Sequence, residues 1–317
     1  MTATKASPKI ALGTWSWGSG AAGGDQVFGN HLSEAELEPV VKAAMAKGFS
    51  LWDTAAVYGQ GSSERILGNL LAPYSRQDYI LSTKFTPQIA GPEGDAMERM
   101  LAGSLERLHT DYIDIYWIHN PADVEKWTPG LIPLVKSGKV KQVGVSNHNL
   151  SQIQRAREIL AAGGVELSAV QNHYSLLYRS SEEAGILDYC AKNAIEFFAY
   201  MVLEQGALTG RYTASNPLPE GSGRAATYNA ALPKLQTLYD AMAKIGSAHG
   251  ASISEVATAW AIHKGTLPII GVTKPHYIDS QERASGIGLT PDELSLMEKL
   301  ARETGVDTKG SWENPMA

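Results

Sequence analysis

Four residues of the kinds that carry protons lie at or near the ends of three consecutive short apolar segments. Asp53 ends the first segment and Tyr58 follows five residues later, Lys84 lies in the second segment, and His119 ends the third. Apolar runs of this length, rich in β-branched and aromatic residues, are typical of strands buried on both faces. In a closed parallel barrel, the side chains at the carboxyl ends of such strands converge on one mouth. We therefore expect these four side chains to form one site.

Together the four side chains could give a proton to an oxygen on which negative charge develops. A tyrosine hydroxyl has a pKa of about 10 and is a weak acid at neutral pH, but a nearby ammonium group lowers that pKa because it favours the phenolate. Lys84 could supply the ammonium for Tyr58, and Asp53 could supply its counter-charge. His119 could orient a carbonyl oxygen through a hydrogen bond. Carbonyl reduction needs this chemistry, since hydride adds to carbon and a proton adds to oxygen.

Each of these residues, taken alone, could instead be structural: a strand cap, a rim aromatic, a solvated charge or a core histidine. Their joint occurrence in successive units favours a site. A metal site is disfavoured, because the sequence has none of the usual zinc spacings and a central lysine would repel a cation. Nucleophilic hydrolysis is disfavoured too, because no Gly-x-Ser-x-Gly turn is present.

Strand-like and helix-like segments alternate along the chain. Eight strand candidates begin near Ile10, Phe49, Tyr79, Tyr112, Lys141, Ser168, Glu196 and Leu267. The first seven recur at intervals of about thirty residues, the length of one strand-plus-helix unit. Eight such units predict an α/β fold, a closed (β/α)8 TIM barrel. The alternative is an open doubly wound sheet, which would need a glycine-rich turn followed directly by a helix; neither Gly13 nor the stretch from Gly18 to Gly24 fits that pattern.

Helical signals fill the intervals between these strands. Capping boxes begin helices at Ser33 and Ser252, a last helix begins at Thr290, and periodicity predicts helices over 96–108, 151–161 and 184–193. The helices over 232–249 and after Thr290 are surplus to the repeat. The loop over 214–229 is rich in Pro, Gly and Ser and is of the length expected for a lid or a disordered segment. No linker interrupts the chain, so one domain is predicted over 1–317.

Composition limits the function classes. The chain of 317 residues is 44% apolar with a net charge of −6, which fits a globular protein and disfavours a nucleic-acid surface. One cysteine cannot form an intrachain disulfide, which favours a reducing, cytoplasmic setting. The stretch from Met1 to Ile10 has no apolar leader, and no run is long enough for a membrane helix. A small-molecule partner is expected, and the oligomeric state is left open.

The motifs of this sequence resemble those of the aldo-keto reductase family. The matching blocks, in chain order, are Asp53-Thr54-Ala55 with Tyr58-Gly59, Ser63-Glu64, Leu67-Gly68, Lys84-Phe85, Ile118-His119, Gly144-Val145-Ser146-Asn147, Gln171 to Leu176, and Gly206 to Gly210. The resemblance implies a (β/α)8 barrel with two extra helices, one after the seventh strand and one at the C-terminus. It also implies that Tyr58 is the general acid, that Lys84 lowers its pKa with Asp53 as partner, and that His119 orients the carbonyl.

The resemblance further implies a nicotinamide cofactor. The matching positions are Ser146, Asn147, Gln171, Tyr200, Leu203, Gly206, Leu208, Arg211, Gly271, Thr273, Lys274 and Gln281. The first three would hold the carboxamide, and Tyr200 would stack on the ring. Leu203 to Arg211 would wrap the pyrophosphate, and Gly271 to Lys274 with Gln281 would hold the adenosine end. Without the resemblance, these residues could equally be turn or core positions.

The cofactor is expected to be NADPH, although NADH is left open. Some relatives carry a lysine where this chain has Gly271, so Lys274 is the remaining cation for a 2′-phosphate, with Arg283 and Arg224 as possible helpers. Gln281 stands where relatives often have asparagine and can still offer an amide.

Substrate residues are predicted less specifically. Trp15 and Trp17, near the end of the first strand, could line the pocket with Tyr58 and His119, whereas Trp117 is expected to lie deeper in the barrel core. Such an apolar mouth suits aldehydes and ketones with hydrophobic bodies. A nucleotide-binding regulatory subunit with slow or no turnover is the alternative function, and a cofactor-free barrel hydrolase or isomerase is a third.

Overall fold

Eight parallel strands close into a barrel in the computed structural model, which describes residues 8–317. The strands are β1 (Ala11–Gly13), β2 (Leu51–Asp53), β3 (Ile80–Phe85), β4 (Ile113–Ile118), β5 (Val140–Ser146), β6 (Leu167–His173), β7 (Glu196–Tyr200) and β8 (Leu267–Gly271). Each strand pairs with the next, and β1 pairs with β8 through Leu12 and Ile270. The predicted (β/α)8 barrel is confirmed. Residues 1–7, which hold most of the stretch predicted to lack a leader, lie outside the described residues.

The helices surround this barrel. Within residues 8–317 they are α1 (Gly24–Phe28), α2 (Glu34–Ala46), α3 (Ser62–Leu71), α4 (Ala96–Arg107), α5 (Val124–Trp127), α6 (Leu131–Lys136), α7 (Leu150–Ala162), α8 (Ser180–Glu183), α9 (Ile186–Lys192), α10 (Gly223–Tyr228), α11 (Gln236–His249), α12 (Ile253–His263), α13 (Pro275–Ala284) and α14 (Pro291–Glu303). The capping boxes at Ser33, Ser252 and Thr290 are formed. The surplus helices α11 and α14 pack against each other.

Three segments differ in detail from the predictions. A helix, α1, begins at the end of the glycine-rich stretch after β1, where none was expected. The predicted helix over 184–193 is α9 alone, separated from α8 by Gly185, whose positive φ of 76° ends the helical path. The loop over 214–229 contains the short helix α10, whose N-cap is the Ser222 side chain.

The core has two parts, as expected for a barrel wrapped in helices. A small cluster inside the barrel is formed by Ala11, Leu51, Ile115, Trp117, Ala169, Phe198 and Leu267. The Trp117 ring contacts the Phe198 ring at 5.1 Å, which confirms that Trp117 belongs to the barrel interior. A larger cluster lies between the strands and the helices. This packing leaves the carboxyl ends of the strands free to hold polar side chains.

Within residues 8–317, no helix combines the length and the apolar character needed to cross a membrane.

Candidate active site

An elongated cavity of about 950 Å³ opens at the carboxyl ends of the strands. At one end it is lined by Asp53, Tyr58 and His119, and at the other by Lys274 and Gln281. Register explains the convergence: Gly13 pairs with Asp53, Ser146 with Gln171, and His173 with Tyr200, so the strand ends lie side by side. The fold therefore brings residues from distant parts of the chain to one mouth.

Asp53 and Lys84 form a buried ion pair beneath this mouth. The Lys84 Nζ lies 2.5 Å from Asp53 Oδ2 and donates to the Thr54 carbonyl at 2.7 Å. Ser82 Oγ donates to Asp53 Oδ1 at 2.7 Å, and Gln171 Nε2 does so at 3.2 Å. Burial lowers the pKa of Lys84, and the Asp53 charge opposes that shift. Both charges are thus held in place by partners on several strands.

Tyr58 lies above this pair, at the start of a short 3-10 helix spanning Tyr58–Gly61. The Lys84 ammonium is 5.2 Å from the centre of its ring. Burial, aided by the Asp53 charge, raises the pKa of Tyr58 well above its usual value. Burial outweighs any lowering by Lys84 in this structure, so the expected effect of Lys84 on this pKa stays a prediction. Tyr58 carries its proton at neutral pH.

His119 faces Tyr58 from the end of β4. Its ring lies edge-on to the Tyr58 ring with centres 5.8 Å apart, and its Nδ1 is 2.9 Å from Thr86 Oγ1. Burial and the neighbouring Lys84 charge hold the pKa of His119 well below its usual value. The imidazole is therefore neutral and offers one N–H group. The tetrad predicted from the sequence is brought together.

Asn147 and its neighbours form the next part of the wall. Asn147 has a left-handed backbone with φ of 62°, and its Nδ2 donates to the His119 carbonyl at 2.9 Å. Its Oδ1 accepts a hydrogen bond from the Tyr200 hydroxyl at 2.5 Å. Ser146 and Gln171 are buried beside it and line the cavity. The residues predicted to hold a carboxamide therefore lie together, with the Asn147 amide engaged by protein groups.

The chain after Tyr200 turns sharply around the cavity. Met201, Glu204 and Gln205 have positive φ values of 61°, 47° and 51°, and Gly206 has one of 110°. Left-handed backbone in side-chain-bearing residues is strained and clusters at functional sites. This loop continues as a 3-10 helix over Glu204–Thr209. The strained backbone bends the segment along the cavity wall.

Most of the predicted phosphate loop does line the cavity. Leu203, Gly206 and Arg211 face it, with Gln205 and Thr209. Leu208 does not: its side chain is fully buried in the outer core, and its backbone N–H donates to the Leu203 carbonyl at 3.1 Å. The prediction for Leu208 as a cofactor contact is wrong, because the bend turns its side chain towards the core.

The far end of the cavity is polar and cationic. Gly271, Thr273 and Lys274 line it, and so does Gln281, whose buried Oε1 has no hydrogen-bond partner among the described residues. A Cβ placed on Gly271 would meet only Ser16 Oγ, at 4.0 Å, so the backbone there is open to close approach.

The two arginines proposed as helpers differ. Arg283 is bound to Glu255, with Nη2 and Nε at 2.6 and 3.0 Å from Oε1, and it does not line the cavity. Arg224 lines the cavity, donates to the Gln205 carbonyl at 3.2 Å and has a buried Nε without a partner among residues 8–317. Of these two arginines, Arg224 lines the cavity and Arg283 does not.

An aromatic wall flanks Tyr58. Trp15 stacks on Tyr58 at 5.8 Å and meets Phe28 edge-on at 5.3 Å. Trp17 is not part of it: the side chain is fully buried, donates to the Val272 carbonyl at 2.7 Å and packs on Trp52. The prediction of Trp17 as a substrate residue is wrong, because the chain turns after β1 and directs Trp17 into the core.

Sequence reasoning missed the C-terminal tail, residues 304–317. Trp312 meets Trp15 edge-on at 6.1 Å, and its Nε1 donates to the Tyr200 hydroxyl at 3.2 Å. Glu313 Oε1 lies 2.8 Å from His173 Nδ1 and accepts from the Tyr200 hydroxyl at 3.1 Å. The only signal in the sequence was a lone tryptophan in a polar tail, which does not indicate a site by itself.

Within residues 8–317, no cluster of three or more His, Cys, Asp or Glu side chains has a geometry that could hold a metal ion.

Fold and cavity together define a (β/α)8 barrel with an acid–base cluster at one end of a cleft and cations at the other. The model of the Aldo/keto reductase family matches residues 9–302, and the chain belongs to this family. It is therefore an oxidoreductase in its broad class, as the family name states.

Curated relatives and solved structures agree with this assignment. The chain is 30% identical to the chloroplastic pyridoxal reductase of Arabidopsis thaliana, over 93% of this chain and 83% of that protein. It is 31% identical to the aldo-keto reductase str7 of Strobilurus tenacellus, over 93% and 90%. An aldo-keto reductase from Klebsiella pneumoniae, crystallised with NADPH, has 26% identity and a TM-score of 0.73, over 93% and 91%.

Proposed function

We propose that this protein reduces aldehydes or ketones to alcohols with NADPH, and that Tyr58 donates the proton. The observation that carries the proposal is one cavity with two chemically different ends. A neutral phenol and a neutral imidazole lie over a buried Lys84–Asp53 pair at one end, and Lys274 lies at the other. The first end suits proton transfer to an oxygen, and the second suits phosphate.

The residues present fit a nicotinamide dinucleotide. Arg211, Arg224 and Lys274 line the cavity although the chain as a whole is acidic, and Asp53 is the one carboxylate in its described lining. The unpartnered Gln281 Oε1 offers an acceptor to an amino group at the adenosine end. Gly206 and Gly271 allow a ligand to approach the backbone closely. The Klebsiella relative bound to NADPH supports this choice of cofactor.

Each residue of the tetrad then has a role. Tyr58 holds its proton at neutral pH and can give it to a carbonyl oxygen as negative charge develops there. Lys84, 5.2 Å from the ring centre, stabilises the phenolate that remains, and Asp53 keeps Lys84 in place. If His119 Nδ1 accepts from Thr86, the proton on Nε2 is free to orient the carbonyl oxygen. Bound NADPH would supply the hydride.

The substrate is proposed to be a hydrophobic, preferably aromatic, carbonyl compound. Trp15, Phe28 and Trp312 form the wall next to Tyr58, and Ile89 is an exposed apolar residue at the rim. Flat rings pack well against such a wall. The relative named pyridoxal reductase makes pyridoxal a sensible member of a test panel. A cytoplasmic location and a single domain over 1–317 also remain proposals.

The test is a titration with NADPH and with NADH followed by tryptophan fluorescence, and then an assay of NADPH oxidation with aromatic and aliphatic aldehydes. We expect NADPH binding and aldehyde-dependent oxidation. Tyr58→Phe should lower turnover by about 10²- to 10⁴-fold, with NADPH binding retained, because only the proton is removed. Turnover close to that of the wild type would refute Tyr58 as the acid. NADPH binding without turnover on any carbonyl would favour a regulatory subunit.

A further inference from the structure

The Tyr200 hydroxyl lies between two acceptors but has one proton to donate. Asn147 Oδ1 is 2.5 Å away and Glu313 Oε1 is 3.1 Å away, while Trp312 Nε1 donates to the same hydroxyl from the other side. Burial, with the Glu313 charge, raises the pKa of Tyr200 well above its usual value, so the phenol stays protonated. In this structure the shorter bond goes to Asn147, and Glu313 is a second acceptor within reach.

Glu313 is held at this distance by a buried ion cluster. His173 lies between two carboxylates, with Nδ1 2.8 Å from Glu313 Oε1 and Nε2 2.9 Å from Glu204 Oε1. Carboxylates only accept hydrogen bonds, so both ring nitrogens must donate and the imidazole must be protonated. Burial alone would lower the pKa of His173, but Glu204 and Glu313 together raise it to about 9. All three side chains of the cluster are fully enclosed.

His173 of this cluster also stacks against two tyrosine rings, one of which lines the cavity. The His173 ring lies between Tyr178, at 4.3 Å and 23°, and Tyr200, at 5.5 Å and 26°. Tyr200 therefore has one face against a charged ring and lines the cavity itself. Glu204 is fixed in turn by Thr308 Oγ1 at 2.9 Å and the Tyr228 hydroxyl at 2.7 Å. The C-terminal tail, the loop after β7 and α10 are thus tied to the end of β6.

The Asn147 amide shows why a second acceptor matters. Its Nδ2 donates to the His119 carbonyl and to Asn120 Oδ1 at 3.1 Å, and its Oδ1 accepts from the Tyr200 hydroxyl. A ligand amide that donates to Asn147 Oδ1 competes with the Tyr200 hydroxyl for that oxygen, and a buried hydroxyl left without an acceptor is unfavourable. Glu313 avoids this cost, because its Oε1 can accept the Tyr200 hydrogen bond without a large movement of the ring.

We propose that Glu313 is a positioning residue of the cofactor site, which accepts the Tyr200 hydrogen bond when a nicotinamide carboxamide takes Asn147. The inference rests on the proposed function, since it assigns the carboxamide to Asn147. The C-terminal tail thus contributes Glu313 to the cofactor site and Trp312 to the aromatic wall next to Tyr58.

The test is a double-mutant cycle with Glu313→Gln and Tyr200→Phe, read as the NADPH dissociation constant by fluorescence titration. A neutral amide accepts more weakly than a carboxylate, so Glu313→Gln alone should weaken NADPH binding by about fivefold. The Tyr200→Phe protein has no hydroxyl at this position that needs an acceptor. In that protein, Glu313→Gln should weaken NADPH binding by less than twofold. Such non-additivity indicates that the effect of Glu313 on NADPH binding depends on the Tyr200 hydroxyl.

Glu298→Gln is the matched control. Glu298 is a C-terminal carboxylate that is ion-paired with Arg179 and Lys264 but does not line the cavity. It should leave the NADPH dissociation constant unchanged, although it too removes an ion pair. Equal effects of Glu313→Gln in both backgrounds, or no effect, would overturn the proposal while wild-type NADPH binding stands. Failure of the wild type to bind NADPH would instead overturn the proposed function, and this inference with it.

Discussion

Two buried ion clusters lie at the same barrel mouth, and the pKa values of their cations shift in opposite directions. In the first, Lys84 has one carboxylate partner, Asp53, and burial lowers the pKa of the lysine. In the second, His173 has two carboxylate partners and its pKa rises to about 9. The number of partner charges therefore decides whether desolvation or attraction prevails.

The clusters also differ in what they can do. A cation whose desolvation is only partly offset can readily stabilise new negative charge, which suits Lys84 beneath Tyr58. A cation that is fully compensated holds its partners in place, which suits His173 between the tail and the loop after β7. The Lys84–Asp53 pair is thus suited to stabilise charge during the reaction, and the His173 cluster is suited to hold the tail and the loop after β7 in position.

The largest expected effect is on the first cluster. Lys84→Met should lower the free energy of unfolding by about 3–5 kcal/mol, because it leaves the Asp53 charge buried without a partner. Denaturant unfolding measures this, and adding Asp53→Asn should recover much of the loss. Arg155→Met, which breaks an exposed pair with Glu125, should change stability little. A Lys84→Met protein as stable as the wild type would mean that Asp53 is neutral or hydrated.

The second cluster predicts a pH dependence of stability. The folded-state pKa of His173, about 9, is above the ordinary value of 6.5, so its contribution is complete below pH 6.5 and is lost as the pH rises through 9. The loss should reach about 3 kcal/mol at most. Unfolding free energies of wild type and His173→Gln at several pH values measure it, and their difference should shrink between pH 6.5 and 10. A constant difference would show that His173 is not a buried cation.

A smaller effect is expected from an exposed cation of the same cavity. Lys274→Ala should raise the NADPH dissociation constant by about tenfold and leave that of NADH nearly unchanged, because the lysine would contact only the 2′-phosphate. Fluorescence titration with both cofactors decides the matter, with Lys299→Ala on α14 as an exposed-lysine control. Equal weakening of both cofactors would place the 2′-phosphate contact elsewhere.

The sequence predicted the parts of the site that come from the strand ends. Asp53, Lys84 and His119 follow short apolar runs, and a parallel barrel brings such ends together whatever the loops do. Trp17 and Leu208 were misassigned because a turn of one or two residues decides which way a side chain points. Gln281 and Lys274 were found through the family pattern, whereas the engagement of Arg283 by Glu255 depends on packing between α12 and α13.

By itself, the sequence determined the alternation of strands and helices, the barrel and the four residues of the acid–base cluster, because these depend on local periodicity and on which residue ends each strand. Only the tertiary structure decided the second cluster. Glu313 and His173 are 140 residues apart, and no local pattern links a polar tail to the end of β6. The protonation states of both clusters were decided there too, because a pKa depends on burial and on every neighbouring charge.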